Sequence, residues 1–183
     1  RSLFSGDAIL DLPPTYYREL ATWHKIVFLY NNKALQGLKN IHYHAERQDL
    51  VGRLVKIVQK QEGHRLASDV ENAKIVLSER EVASLSLDYV EEGLNTSVSR
   101  KTFECDIETQ KEAIVSEITK CINIAGVSSS KIHTLFMTGG STAIPLIAQA
   151  CRNVAPSARM VSGSRFGSVG MGLAIDAGIK FGK

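Results

Sequence analysis

The stretch KIHTLFMTGGSTAIPLIAQA, Lys131 to Ala150, decides the fold. It opens with His133-Thr134-Leu135-Phe136-Met137, an apolar run of strand length and composition. Gly139-Gly140 break the run. Ser141 and Thr142 then offer helix N-cap chemistry, and Ile144, Leu146, Ile147 and Ala150 follow at helical spacing. Pro145 suits a first helical turn, where its missing N–H would be unpaired anyway. The reading is strand, glycine turn, helix. Such a junction presents backbone N–H groups and a positive dipole end, and so suits an anionic or polar ligand group. Two glycines would let that group approach the backbone closely. On spacing alone a plain βα turn with no ligand is the commoner outcome.

Working outward, the glycines concentrate once more, in Ser162 to Lys180. Gly163, Gly167, Gly170 and Gly172 precede or open a helix carrying Val169, Leu173, Ala177 and Ile179. A short strand is expected near Arg159-Met160-Val161. Upstream of the central stretch, Phe103, Ile107, Ile114, Ile118, Cys121 and Ala125 mark a long helix, interrupted near Asp106 and closed by Gly126. Before it, Val82 to Tyr89 alternates apolar and polar residues. Glu91-Glu92-Gly93 is a turn, and Leu94 to Val98 a second strand, so the pair reads as an antiparallel hairpin, with Ser99 as a cap for the long helical stretch.

The first third of the chain reads as helical. Residues 1 to 12 are expected to form a loop or irregular leader. Pro13-Pro14 open a pattern in which Leu20, Trp23, Val27 and Tyr30 share a face, ended by Asn31-Asn32. A helix continues from Ala45 through Leu50, Leu54, Ile57 and Val58 to a break at Gly63. The next helix sets Leu66, Val70, Ala73 and Leu77 on one face and Glu71, Lys74 and Ser78 in a row on another. By pattern alone that row is a solvated face with one helical ion pair. His42 and His44 would share a face if their segment were a strand, but structural zinc wants about four ligands and no others cluster nearby.

Composition excludes several classes. A chain of 183 residues suffices for one large domain or two small lobes. The 22 Lys+Arg and 19 Asp+Glu leave a net charge of only +3, which argues against nucleic acid or an acidic membrane surface as partner. The apolar runs are too short to span a bilayer, and the start lacks the form of a signal peptide. Cys105, Cys121 and Cys151 are odd in number and widely spaced, fitting neither a disulfide framework nor a metal clip. A reducing, cytoplasmic setting is therefore expected, with each cysteine acting as a small buried or half-buried apolar residue.

Several of these segments resemble the Hsp70 chaperones. GGSTAIPLI is similar to the family's adenosine-contacting loop, usually GGSTRIP, and Glu71-Asn72-Ala73-Lys74-Ile75-Val76-Leu77-Ser78 to its helix ERAKRTLS. The order also matches: that helix, a hairpin, Ser99, Arg100, Phe103 and Glu104 at a helix start, the Gly-Gly loop, then Val169, Gly172 and Ala174. The likeness covers roughly residues 64 to 180. It is closest to short divergent members of the bacterial YegD type, through Phe166 to Ala174. The resemblance implies an α/β, actin-like (ribonuclease H-like) ATPase fold, and within it the C-terminal lobe. Residues 1–108 would form the outer helical and hairpin subdomain and 109–183 part of the inner α/β subdomain. Glu71, Lys74 and Ser78 would face adenosine from one side, and Gly139, Gly140 and Ser141 from the other. ATP or ADP is the implied cofactor.

The sequence departs from the family where Ile75 and Ala143 replace arginines that border the base; a cation over an aromatic ring contributes on the order of 1 kcal/mol. Phe166 replaces an acidic residue and offers either a stacking surface or simple packing. The family's D-x-G-T phosphate loops, catalytic lysine and Mg²⁺-organising acids lie in its N-terminal half and do not occur here, so this segment is not expected to hydrolyse ATP alone. No peptide-binding β-sandwich follows, so client holding is not expected of it. The expected partners are an adenine nucleotide, the N-terminal half of the ATPase domain, and a client protein or cochaperone. The alternative is a non-catalytic interaction module with a degenerate site. Another actin-like ATPase, such as a sugar kinase or filament protein, fits the Glu71–Ser78 helix less well.

Overall fold

The structure, a computed structural model, describes residues 12–163 and 167–182. The expected leader through Asp11 and the reading of Phe166 lie outside these residues. The chain divides into two compact units. Of the described residues, one unit holds those through Lys74 together with Ala83–Val98; the other holds Ile75–Val82 and those from Ser99 onward.

The first unit is mainly helical. Helix α1 (Pro14–Leu20) is followed by a 3-10 segment, Trp23–Tyr30, and then by α2 (Asn32–His44), α3 (Gln48–Gln59) and α4 (Gly63–Glu79). The single helix expected from Pro14 to Tyr30 is thus two pieces. Ala21 and Thr22 break it, and the tighter winding beyond keeps Ile26 and Leu29 fully buried, three residues apart. Asn31 ends this segment, as expected, and also starts the next helix: its side chain accepts the Ala34 N–H at 2.8 Å. His42 and His44 lie on α2, two residues apart and so on different sides, not on a strand face. The core of this unit gathers Leu12, Leu29, Leu38, Ile41, Val51, Leu54, Val55 and Val58.

The step from α3 to α4 turns on Gln61, a non-glycine residue at φ 57°. The Gln61 N–H reaches the Val58 carbonyl at 3.1 Å and the Glu62 N–H that of Ile57 at 2.9 Å, which satisfies the end of α3. Tyr30 ties both sides of the junction: its hydroxyl donates to the Gln61 carbonyl at 3.1 Å and accepts the Gly63 N–H at 3.0 Å. A Cβ on Gly63 would come within 2.6 Å of Ile26 Cγ2, so the helix start sits close against that segment.

Strands β1 (Val82–Ser86) and β2 (Asn95–Ser99) pair as a hairpin. Bonds from the Arg100 N–H to the Glu81 carbonyl and from the Leu87 N–H to the Leu94 carbonyl keep a constant index sum, which makes the pairing antiparallel. The turn is held to the helices by polar contacts. Arg53 grips the Glu91 carboxylate with Nε–Oε2 at 2.8 Å and Nη2–Oε1 at 3.2 Å. Lys60 Nζ donates to the Tyr89 carbonyl at 3.1 Å, and the Tyr89 hydroxyl to Asp69 at 2.9 Å. Burial, then the bond to Asp69, raises the Tyr89 phenol above its ordinary range.

The second unit holds α5 (Arg100–Asp106), α6 (Glu108–Ile124), β3 (Thr134–Met137), α7 (Pro145–Val154), β4 (Arg159–Ser162) and α8 (Ser168–Phe181). Ser99 caps α5 by accepting the Thr102 N–H at 3.1 Å, and the expected break falls at Asp106–Glu108. Gly126, at φ 64°, follows α6. β3 and β4 are parallel, Thr134 opposite Arg159 and Met137 opposite Ser162, with α7 as the crossover. Met137, Ile144, Ile147 and Cys151 form the core with Phe103, Ile107, Ile114 and Ile118 against them. Burial raises the Cys151 thiol; Cys105 and Cys121, contrary to expectation, are exposed. In α8 the apolar Met171, Leu173, Ile175, Ile179 and Phe181 are also exposed.

Two consequences are measurable. Gln61→Gly removes the cost of a side chain in the left-handed region and should raise the chain's stability by about 0.5–1 kcal/mol in denaturant unfolding. The bond from Arg53 holds the Glu91 carboxyl below the usual glutamate range. The pair therefore stabilises the fold above that range, and its contribution is lost as the pH falls through the depressed value. Melting temperatures between neutral and acidic pH should fall less steeply in Glu91→Gln than in the parent chain.

Candidate functional site

Three of the sequence-selected residues lie on α4. Its interior has no proline and no glycine after the first position, so the helix winds without interruption. Residues Glu71, Lys74 and Ser78, three and four apart, fall on one side of it. Glu71 Oε2 lies 2.6 Å from Lys74 Nζ, an i,i+3 pair whose carboxylate side is half exposed. Such a pair contributes only about 0.2–0.5 kcal/mol. Ser78 is half-buried. Glu71 and Lys74 belong to the first unit and Ser78 to the second.

The apolar face of α4 is less uniform than its spacing suggests. Leu77 is buried and Leu66 and Ala73 half-buried, but Val70 is 55% exposed. Val70 instead lines an open groove of about 920 Å³ in the first unit, with Tyr17, Trp23, Leu66, Glu71 and Asn72. Reading Trp23 as part of one helical face with Leu20, Val27 and Tyr30 missed this groove. The signal available in the sequence was the β-branched Thr22, a weaker helix former that takes an extended backbone before the 3-10 segment.

The other three residues form the turn after β3. Gly139 has φ 89° and ψ 153°, a conformation essentially restricted to glycine. A Cβ built there meets no atom of the described residues within 4 Å, so the turn needs glycine for its backbone rather than for room among them. Gly140 begins a 3-10 turn, Gly140–Ala143. The Gly139 carbonyl accepts the Thr142 N–H at 3.2 Å and the Thr142 hydroxyl at 2.7 Å. Gly139 and Gly140 are half-buried and Ser141 exposed.

Ser141 and Thr142 do not cap α7, contrary to the sequence expectation. The helix starts at Pro145, and Ile144 before it is extended at φ −71°, ψ 122° with no side-chain cap. Proline disfavours the helical region for the residue preceding it, which pushes the helix start past the hydroxyls. The glycine turn and the N-terminus of α7 are therefore separated by one 3-10 turn.

Among the described residues no group of three or more His, Cys, Asp or Glu side chains is placed to hold a metal ion. No described helix is long and apolar enough to cross a membrane.

The architecture is thus a helical unit and an α/β unit, the latter built on a parallel strand–helix–strand crossover with a glycine turn. The family model described as Hsp70 protein matches residues 53–183, well over half of the sequence. The chain belongs to the Hsp70 family, which implies the actin-like ATPase fold; its helices and two small sheets are consistent with part of one lobe. Relatives include the chaperone protein DnaK of Deinococcus proteolyticus, 29% identical over 66% of this chain and 20% of the relative. DnaK of Halobacterium salinarum is 28% identical over 65% of the chain and 20% of the relative. The chaperone protein HscA homolog of Shewanella amazonensis is 24% identical over 66% and 19%. The chain spans about one fifth of the length of these relatives.

The strain at Gly139 is directly measurable. Gly139→Ala should cost about 1–3 kcal/mol in unfolding free energy although the added methyl meets nothing, because the backbone region is closed to it. A loss below about 0.5 kcal/mol would show that the turn relaxes to an ordinary conformation.

Proposed function

We propose that this chain is the adenosine-contacting C-terminal lobe of an Hsp70-type nucleotide-binding domain, of the short YegD type. The observation that carries the reading is the turn at Gly139. Its backbone is one that glycine alone adopts readily, no described residue would crowd a Cβ there, and it follows a strand in the order the Hsp70 resemblance requires. Residues 1–108 would form the outer subdomain and 109–183 part of the inner one. Glu71 and Lys74 supply a carboxylate acceptor and an ammonium donor suited to ribose hydroxyls and ring nitrogens. Gly139, Gly140 and Ser141 supply the backbone wall. Mg²⁺ and the phosphate chemistry would come from the N-terminal half of the ATPase domain. The exposed apolar side chains of α8 support a lobe that meets further protein, as a helix apolar on all sides is normally covered. Chaperone action on a client belongs to the whole protein.

A second reading has its own observation. Ile75 is 44% exposed and Ala143 has no polar group, at the two positions where the family resemblance implies arginines. That fits an interaction module whose nucleotide site has decayed.

Calorimetric titration of the chain with ADP, ATP and GTP in the presence of Mg²⁺ separates the two. The lobe reading expects adenine-selective binding in the range of about 0.1–1 mM, as befits half a site. It also expects Gly139→Val to remove that binding. Equal heats for ADP and GTP, or an unchanged affinity in Gly139→Val, would overturn it and leave the interaction module.

A further inference from the structure

The segment Trp23–Tyr30 precedes residue 53, where the match to the family begins, and core packing does not explain its outer side. A 3-10 helix has three residues per turn, so residues three apart lie above one another. Ile26 and Leu29, both fully buried, fix one row against the core. The other two rows begin with His24 and Val27, and with Lys25 and Phe28, and these four side chains are exposed. Val27 is 51% exposed and Phe28 58%. Trp23, at the start of the segment, is 58% exposed as well. Its indole is held by an edge-to-face contact with the His64 ring, centroids 4.8 Å apart.

The charge around this face has one sign. From Leu20 to Ala45 the sequence has three lysines, Lys25, Lys33 and Lys39, and no aspartate or glutamate. Those three charges equal the net +3 of the whole chain, so a near-balanced composition hides a local excess. A small net charge argues against an acidic surface only where the charges are evenly mixed. Among the described residues none of these lysines has an acidic partner, nor does Arg18 before them. Exposed tryptophan and phenylalanine beside lysine, with no acids, match an element that lies in a bilayer interface. The rings enter the headgroup boundary and the ammonium stays with lipid phosphates. A protein partner fits less well, because protein interfaces favour the aromatics but deplete lysine.

We propose that the outer face of Trp23–Tyr30 binds the surface of an anionic lipid bilayer. Trp23, Val27 and Phe28 enter the interfacial layer and Lys25 meets the lipid phosphates. No described helix is long and apolar enough to cross a membrane, so this contact is peripheral. One patch of this size is a reversible anchor rather than a permanent one. The inference uses none of the residues assigned to adenosine and stands apart from the nucleotide reading.

Trp23 is the chain's single tryptophan, so its emission reports on this face. The full chain is mixed with vesicles of phosphatidylcholine, either alone or with about one third phosphatidylserine. The anionic vesicles should shift the Trp23 emission to the blue and carry the chain down on sedimentation, and raised salt should reverse both. Neutral vesicles should do neither. Lys25→Gln should weaken the partition about five-fold, the factor one lysine contributes at an anionic surface. Phe28→Ser should weaken it at least as much. Both side chains are exposed, and circular dichroism of the variants checks that the fold is kept. Equal binding to neutral vesicles, sedimentation without a Trp23 shift, or an unchanged partition in either variant overturns the proposal. Those results point instead to the exposed apolar side chains of α8, whose Lys180 is paired with Asp176. Absence of binding to both kinds of vesicle also overturns it.

Discussion

The structure depends on one uninterrupted helix. The hydrogen-bond ladder of α4 runs from Gly63 to Glu79 while the compact units change at Lys74. A continuous ladder fixes the angular position of every residue along it, so each side of the helix serves a different neighbour. Its start needs Gly63 because Ile26 and Tyr30 leave no room for a side chain, and the Tyr30 hydroxyl takes one of the N–H groups a helix start leaves unpaired. Asp69 receives the Tyr89 hydroxyl from the hairpin. At the other end the Leu77 carbonyl accepts from Arg100 Nε at 2.8 Å, and Arg100 also pairs with Glu81 at 2.7 Å.

That division of labour explains which parts were legible in the sequence. The hairpin, the break at Asp106 and the strand before Gly139 obey local rules: alternation, a helix cap at Ser99, glycine after a strand. The pairing of β3 with β4 was not legible, because register between distant strands is set by how α7 packs on Met137 and Met160. The 3-10 segment Trp23–Tyr30 was misread for a different reason. Leu20, Trp23, Val27 and Tyr30 satisfy helical spacing, yet the residues truly buried are Ile26 and Leu29. A three-residue period and a 3.6-residue period agree over one turn and diverge over two, so a short segment cannot show which it obeys.

The candidate site divides along the same line. Residue types and spacing placed Glu71 beside Lys74 and the glycines in one turn, since both are local arrangements. The helix start was missed because Ser141 and Thr142 satisfy the cap pattern and the constraint that defeats it lies one residue before Pro145. Thr142 turns its hydroxyl to the Gly139 carbonyl instead. The groove was missed because its two halves are far apart in sequence and Trp23 resembles core.

A Gly-Gly pair after a strand can mean two things, and they have different physical signatures. Where glycine is needed for room, an added Cβ collides, as at Gly63. Where it is needed for shape, an added Cβ is free but the backbone region is closed, as at Gly139. Packing alone would give Gly139 no reason to be glycine. The cost of holding this unusual backbone is offset by what the turn positions, here the Thr142 bonds and the reversal from β3 toward α7. A plain βα turn could achieve that reversal with an ordinary residue in a longer loop. The tightness of the turn, held in a backbone region closed to other residues, is the feature of this stretch on which the proposed ligand reading rests, although its sequence pattern alone favoured a plain turn.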